Sequence, residues 1–378
     1  MNPGSPLRGR ASLSAAAYAA YGLTDEKPMG QVLGHRTDTA PAVSILMATR
    51  DAAATLDECL ESISAQTFGD FELIVMDDGS VDGTPERVAL RGKTDPRIRL
   101  RAARRRGLVN ALNEGLALCR APIVARMDAD DRMRPRRLEC QLEFFEANPG
   151  LDAVGSRVCA FPRRMLGKGM REYLRWQNAC LAPDEIVHDI YLESPLTQPS
   201  VCFRRDVVRA LGGYRDGDFP EDYELWLRLV HAGRRLGKCP EVLLDWRQRE
   251  NSYSRTDPRF SRDAFDRLRA RYLAQDPRLG PGRPLVFWGA GRVTRKRCRR
   301  LTELGYLPDA WVDVDPKKIG NHIQGVPVVS PEWLRPSRHR GARPLVLAYV
   351  ANHGARDLIA RSLDGFSYRR GVDYLMIG

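Results

Sequence analysis

The chain has 378 residues, 43% of them hydrophobic and 29% charged, enough apolar material for two or three packed domains and too much for wholesale disorder. No run approaches the roughly 18–20 consecutive apolar residues that a membrane-crossing helix needs; the longest, around Val43–Ala48 and Leu345–Ala351, are strand-sized. The formal net charge is +12, but only seven of the 60 basic residues are Lys, so the excess reads as a general preference for Arg, and no nucleic-acid motif or aromatic-basic interleave accompanies it.

Residues 1–40 are rich in Ala, Gly, Ser and Pro and read as a disordered extension with a short helix around Ala11–Tyr21. They carry no secretory apolar segment, and Asp25 and Glu26 argue against an organelle transit peptide. From Ala42 the pattern changes. The apolar run Val43–Ala48 predicts a strand, and Leu56, Cys59, Leu60 and Ile63 follow at helical spacing. Phe71–Met76 and Ile98–Leu100 predict further strands, then Leu108, Leu112 and Leu116 a helix, then Ile123–Met127 another strand. Such alternation predicts a parallel sheet covered on both faces, with ligands bound beyond the carboxyl ends of its strands. The stretch 163–194 is the least informative. Residues 274–284 (AQDPRLGPGRP) read as a linker, and a second strand-helix rhythm follows: Leu285–Trp288, a helix near Val293–Leu304, Ala310–Val314 and Leu345–Val350. The eight cysteines lie no closer than 19 residues apart. That spacing excludes zinc motifs and predicts reduced, buried thiols in a cytoplasmic protein.

Two predicted strands end in carboxylates. FELIVMDDGSVDGT places Asp77 and Asp78 where the sheet opens, and PIVARMDADD places Asp128, Asp130 and Asp131 at an equivalent end. Carboxylates crowded at a sheet edge repel one another and ask for a cation or donor-rich ligands. Asp-x-Asp suits Mg2+ or Mn2+ shared with phosphate oxygens; read alone, either run is also an ordinary turn or helix cap. FPEDYELWLRL adds Glu221 and Asp222 at the start of an amphipathic helix, where acidic residues also serve as simple dipole partners.

Seven segments in order, VSILMATRD, QTFGDFELIVMDDGSVDGT, RRGLVNALNEGL, MDADD, QPSVCFRRDVVRALGGY, EDYELWLRL and LLDWRQRENSYS, resemble the family 2 glycosyltransferases, which have the GT-A fold. The resemblance covers about residues 42–254 and implies an α/β domain that moves a sugar from a nucleotide-diphosphate donor to an acceptor hydroxyl with inversion. By position it implies that Thr49 and Asp78 contact the nucleoside and that Asp128 reaches the ribose or the metal region. It further implies that Asp130 ligates Mg2+ or Mn2+ and that Arg106 faces the nucleotide. Asp222 is the implied catalytic base, with Glu221 as its orienter or substitute. Three positions depart from the family pattern: Arg50 stands in place of a Tyr, Gln198 in place of a His, and Arg249 in place of a His near the diphosphate. Arg249 can pair with phosphate but cannot ligate a metal. The implied acceptor is a glycan, a lipid-linked sugar or a protein in surface polysaccharide synthesis, at a cytoplasmic site with or without contact to the inner face of the membrane.

The C-terminal sequence LVFWGAGRVTRKRCRR followed by AWVDVDP resembles small Rossmann-like modules. Gly289 and Gly291 would form the tight turn and Asp313 or Asp315 the ribose-binding carboxylate of a nucleotide site, although Thr294 replaces the third glycine of the fingerprint. A structural or docking module is the first reading and NAD(P) binding the second. The basic run at 295–300 reads as a solvated helix face, the alternative being a surface for anionic lipid or glycan. The expected organisation is therefore an extension at 1–40, a GT-A-like domain at 41–273, a linker at 274–284 and a Rossmann-like α/β domain at 285–378. The competing functions are an inactive transferase fold that binds nucleotide, and an NAD(P)-dependent sugar-modifying enzyme built on the C-terminal part.

Overall fold

A computed structural model describes residues 40–336, 342–350 and 354–378; the extension and helix expected in 1–39 lie outside the described residues. The first sheet has eight strands: β1 (Val43–Thr49), β2 (Phe71–Asp78), β3 (Ile98–Ala103), β4 (Ile123–Met127), β5 (Arg132–Met133), β6 (Ala153–Phe161), β7 (Cys202–Arg204) and β8 (Leu236–Arg247), in the order β3-β2-β1-β4-β7-β6-β8-β5. β1, β2 and β4 are buried along almost their whole length, which is why they read as continuous apolar runs. The helix Ala53–Ser64 lays Leu56, Cys59, Leu60 and Ile63 on one face of the sheet. The helix Leu108–Leu118 covers the other face with Leu112 and Leu116. Between β1 and β2 the parallel register sets Thr49 opposite Asp77, and β4 runs parallel on the other side of β1. The carboxyl ends of all three strands thus share one edge.

The parallel expectation holds for β1 to β4, and beyond them only β6 and β8 pair parallel. β7 pairs antiparallel with both β4 and β6, and β5 antiparallel with β8, so the sheet is mixed. β7 is only three residues long and follows a 3-10 turn at Gln198–Ser200.

The second sheet has six strands, β9 (Leu285–Trp288), β10 (Ala310–Val312), β11 (His322–Ile323), β12 (Val326–Val329), β13 (Leu345–Ala348) and β14 (Tyr374–Met376), ordered β11-β12-β10-β9-β13-β14. One apolar cluster runs from Leu46 in the first sheet through Tyr191 and Leu268 to Phe287 and Leu375 in the second. The segment between the sheets is held by polar ties: Tyr191 donates its hydroxyl to Asp276 Oδ2 at 2.8 Å, and Arg278 Nη1 donates to the Gly371 carbonyl at 2.7 Å. All eight cysteines are free thiols, and most are buried. Cys159 is exposed because it lies on the outward face of β6, which corrects the expectation for that residue. Among the described residues no helix is long and apolar enough to cross a membrane.

Gly289 ends β9 at φ +111°, and a Cβ there would lie 2.8 Å from Thr294 Oγ1 and 2.9 Å from Val350 Cγ2. Its conformation and its neighbours both require glycine. Gly289→Ala is expected to lower stability by about 1–3 kcal/mol in a urea titration of the full chain.

Candidate functional site

The carboxylates after β4 gather at the sheet edge. One ligand atom from each of Asp128, Asp130 and Asp131 fits within 4.8 Å of the others. Asp128 Oδ1 accepts from Arg126 Nη2 at 2.6 Å. Arg126 itself is fully buried inside β4 and also donates to the carbonyls of Leu46 and Met127 and to Gln198 Oε1. Asp130 Oδ2 accepts from Arg249 Nη2 at 2.5 Å. Asp131 is buried; its Oδ1 accepts from the Arg247 amide at 2.6 Å, and its Oδ2 has no partner. Burial, reinforced by Asp130 and Asp128, pushes the Asp131 carboxyl well above the usual carboxylate range. Burial also raises Asp128, against the pull of Arg126. An orphaned buried oxygen amid three carboxylates is the donor set of a hard divalent cation, so the residues present fit Mg2+ or Mn2+.

Across the edge, Asp78 is already engaged with backbone. Its Oδ1 accepts from the Arg106 amide at 2.6 Å, and both its oxygens accept from the Gly107 amide at 3.0 Å. This ties the end of β2 to the start of the helix Leu108–Leu118, a role the strand-end reading did not anticipate. Asp77 accepts from the Ser80 amide at 3.0 Å, and burial raises its pKa. Thr49 is buried, with its hydroxyl unpartnered at the edge. The exposed Arg106 side chain donates to Glu114 at 3.0 Å and borders an open cleft of ≈ 420 Å³ lined also by Asn110, Asp216, Asp218 and Arg259.

Glu221 and Asp222 open the helix Glu221–His231, whose Leu225, Trp226 and Leu229 are wholly buried. Asp222 is partly exposed and its Oδ1 accepts from the Tyr223 amide at 2.7 Å. Burial, with Asp128 adding repulsion, brings its pKa up to about 6. Glu221 is buried with Oε2 unpartnered; burial first and then Asp222 raise it to about 8. Tyr214, whose buried hydroxyl is also unpartnered, lies in the field of Arg126, Glu221, Asp222 and Asp128. The first-turn acids and the β4 cluster therefore lie in one electrostatic neighbourhood. Because the folded pKa of Glu221 lies above its unfolded value of 4.5, the folded state holds the proton more tightly, and stability is lost as pH rises from about 4.5 through about 8. Glu221→Gln is expected to melt higher than wild type, with the gap opening across that window in scans at stepped pH.

Asp131 was read as one of the strand-end carboxylates, whereas Arg126, Tyr214 and Arg247 carried no assigned role in the sequence reading. Arg126 had a signal, a charge in the middle of a strand buried on both faces. Tyr214 and Arg247 come from separate segments and meet the cluster only in the fold. Gln198, noted as a departure, is the buried partner of Arg126. In the second sheet Asp313 is satisfied internally: Oδ2 accepts from the Ala290 amide at 2.8 Å and Lys318 Nζ at 3.1 Å, and Oδ1 from the Asp315 amide at 3.0 Å. A Cβ on Gly291 would meet nothing. The tightness of the turn falls on Gly289.

The family described as Glycosyl transferase family 2 matches residues 44–212. The amylovoran biosynthesis glycosyltransferase AmsE of Erwinia amylovora is 32% identical over 204 residues, 54% of this chain and 74% of that protein. The Escherichia coli UDP-Gal:alpha-D-GlcNAc-diphosphoundecaprenol beta-1,3-galactosyltransferase is 31% identical over 214 residues, 56% of this chain and 76% of that protein. Among solved structures, the mannosyltransferase PcManGT of Pyrobaculum calidifontis, in complex with GDP-Man and Mn2+, aligns with a TM-score of 0.45 at 24% identity, covering 63% of each chain.

Proposed function

Because the chain belongs to glycosyl transferase family 2, an inverting family, and is a glycosyltransferase, we propose that it transfers a sugar from a nucleoside-diphosphate donor to the hydroxyl of a glycan or lipid-linked acceptor in surface polysaccharide assembly. The observation that carries this reading is the meeting of the Asp128–Asp130–Asp131 cluster with Asp222 in one electrostatic neighbourhood. The surface-polysaccharide setting draws on the relatives, among them an amylovoran and a diphosphoundecaprenol-linked transferase. We place the work on the cytoplasmic side of the membrane, with the protein peripheral to it.

In this reading Thr49 and the edge beside Asp78 face the nucleoside, and Arg106 borders the cleft on that side. Asp130, flanked by Asp128 and Asp131, would hold Mg2+ or Mn2+, which when bound supplies Lewis-acid stabilisation of the leaving diphosphate. Arg249, now on Asp130, is within reach of the same phosphates and offers them a fixed positive fork. Asp222 takes the proton of the acceptor hydroxyl as its oxygen attacks the anomeric carbon from the side opposite the diphosphate. With a pKa of about 6 it is ionised at neutral pH yet basic enough to accept that proton. Glu221, at about 8, stays protonated there and supports the helix start rather than serving as base.

The test is thermal stabilisation of the full chain by UDP, GDP, dTDP, CMP, NAD+ and NADPH, each with and without Mn2+. A nucleoside diphosphate at 100 times its Kd adds about 2.7 kcal/mol. The expected result is a Mn2+-dependent shift with one diphosphate that Asp130→Ala removes. A shift with NAD+ or NADPH alone would overturn the reading.

A further inference from the structure

The two sheets meet where the helix Arg262–Leu273 packs against the helix Arg292–Thr302. Four guanidiniums gather at this seam: Arg262 and Arg269 from the first helix, Arg297 from the second, and Arg356 from the first turn of the helix Ala355–Gly365. Arg269 is buried and donates to Asp266 at 3.0 Å, to Glu193 at 3.5 Å and to the Gly378 oxygen at 3.1 Å. Asp189, the next acid, is bound by Arg370 at 2.5 Å. Among the described residues no hydrogen bond or ion pair is left for Arg262, Arg297 or Arg356. Arg297 Nη1, Arg356 Nε and Arg269 Nε are buried without any partner. Burial and then Arg262 push Arg297 below the ordinary arginine range, with Arg269 and Arg356 adding to them, and Asp266, already shared with Arg269, only partly offsets them. Burial likewise lowers Arg356.

Buried guanidinium nitrogens are seldom left unpaired, and like charges do not gather without a counter-charge. A phosphoryl group supplies what is missing, namely several acceptor oxygens and more than one negative charge, matched to the planar fork of arginine. Position narrows the choice further. Arg269 lies over the rings of Tyr223 and Phe265, 5.8 and 5.4 Å from their centroids, and Tyr223 adjoins Asp222. Tyr173, whose hydroxyl donates to the Ser194 carbonyl at 3.0 Å, feels both Asp222 and Glu193. The arginine seam is thus connected to the proposed base through Tyr223 and Tyr173, away from the Arg249–Asp130 pair.

We infer that Arg262, Arg297 and Arg356 form an anion site for a phosphoryl group carried by the acceptor, so that the second sheet supplies part of the acceptor-binding surface. The inference rests on the transferase reading for the word acceptor; the anion site stands on the seam alone. Titration calorimetry of the full chain in EDTA, with inorganic pyrophosphate as the probe, tests it. A parallel arm measures capture on phosphatidylcholine vesicles with and without phosphatidic acid. The double variant Arg297→Gln/Arg356→Gln is expected to bind at least about tenfold more weakly. Arg299→Gln on the same helix, whose partner is the exposed Glu303, should bind as wild type does. Weakened pyrophosphate binding supports a site for a free or soluble phosphoryl group; weakened vesicle capture alone supports a lipid-borne one. Binding of neither probe by wild type, or equal binding by the variant, overturns the site. Should the double variant fail to fold, the exposed Arg262→Gln carries the same comparison. A Mn2+-dependent nucleotide titration of the same proteins is separate: its failure in wild type sinks the transferase reading and leaves the pyrophosphate result standing.

Discussion

Asp222→Asn is expected to lower kcat by about 10²- to 10⁴-fold while leaving Mn2+-dependent nucleotide binding in place. The amide keeps the shape of the carboxyl group and its bond to the Tyr223 amide but cannot take a proton. The same group sets the pH profile. With burial and Asp128 holding Asp222 at about 6, kcat/KM should be flat above that value. Below it, kcat/KM should fall about tenfold per unit as the base becomes protonated. Initial rates across pH 4.5–8.5 at fixed Mn2+ check both statements. Full activity of Asp222→Asn would move the base elsewhere.

Arg126→Met should produce the largest loss of stability, about 3–5 kcal/mol by urea denaturation. Arg126 is wholly buried, and its guanidinium serves four acceptors, the carbonyls of Leu46 and Met127, the Asp128 carboxylate and Gln198 Oε1. Methionine fills similar volume but strands all four. The energetic centre of the loss is Asp128, which would be left partly buried beside two other carboxylates. The double variant Arg126→Met/Asp128→Asn should therefore lose clearly less than the sum of the two single variants. A simple sum would mean that the two side chains do not support each other.

Much of this architecture was legible because the strands that build the site are parallel and buried on both faces. Val43–Thr49, Phe71–Asp78 and Ile123–Met127 announce themselves as apolar runs, and the polar residues that end them fall at the sheet edge by necessity. Ile123–Met127 and Leu285–Trp288 match their predicted bounds residue for residue. The antiparallel entry of β7 was not legible, since three residues between a 3-10 turn and a short helix carry no periodicity. In the site, Asp128 and Asp130 could be read from spacing and Asp222 from its place at a helix start. Asp78 could be located, but its backbone partners could not, because Arg106 and Gly107 approach from 28 and 29 residues away. Arg247 reaches Asp131 across 116 residues and Arg249 reaches Asp130 across 119. Contacts of that range leave no trace in local pattern.

The apolar cluster that passes from Leu46 and Tyr191 through Leu268 to Phe287 and Leu375 bears on how this chain can be taken apart. A fragment ending before Leu285 would hold every carboxylate of the proposed site. It would also present to water the side of the helix Arg262–Leu273 that now packs against the helix Arg292–Thr302. Exposed apolar area of that kind invites self-association. Grafting the C-terminal part of another transferase onto residues 40–273 would face the same demand: the incoming unit must match this seam in shape. The two sheets share one apolar core.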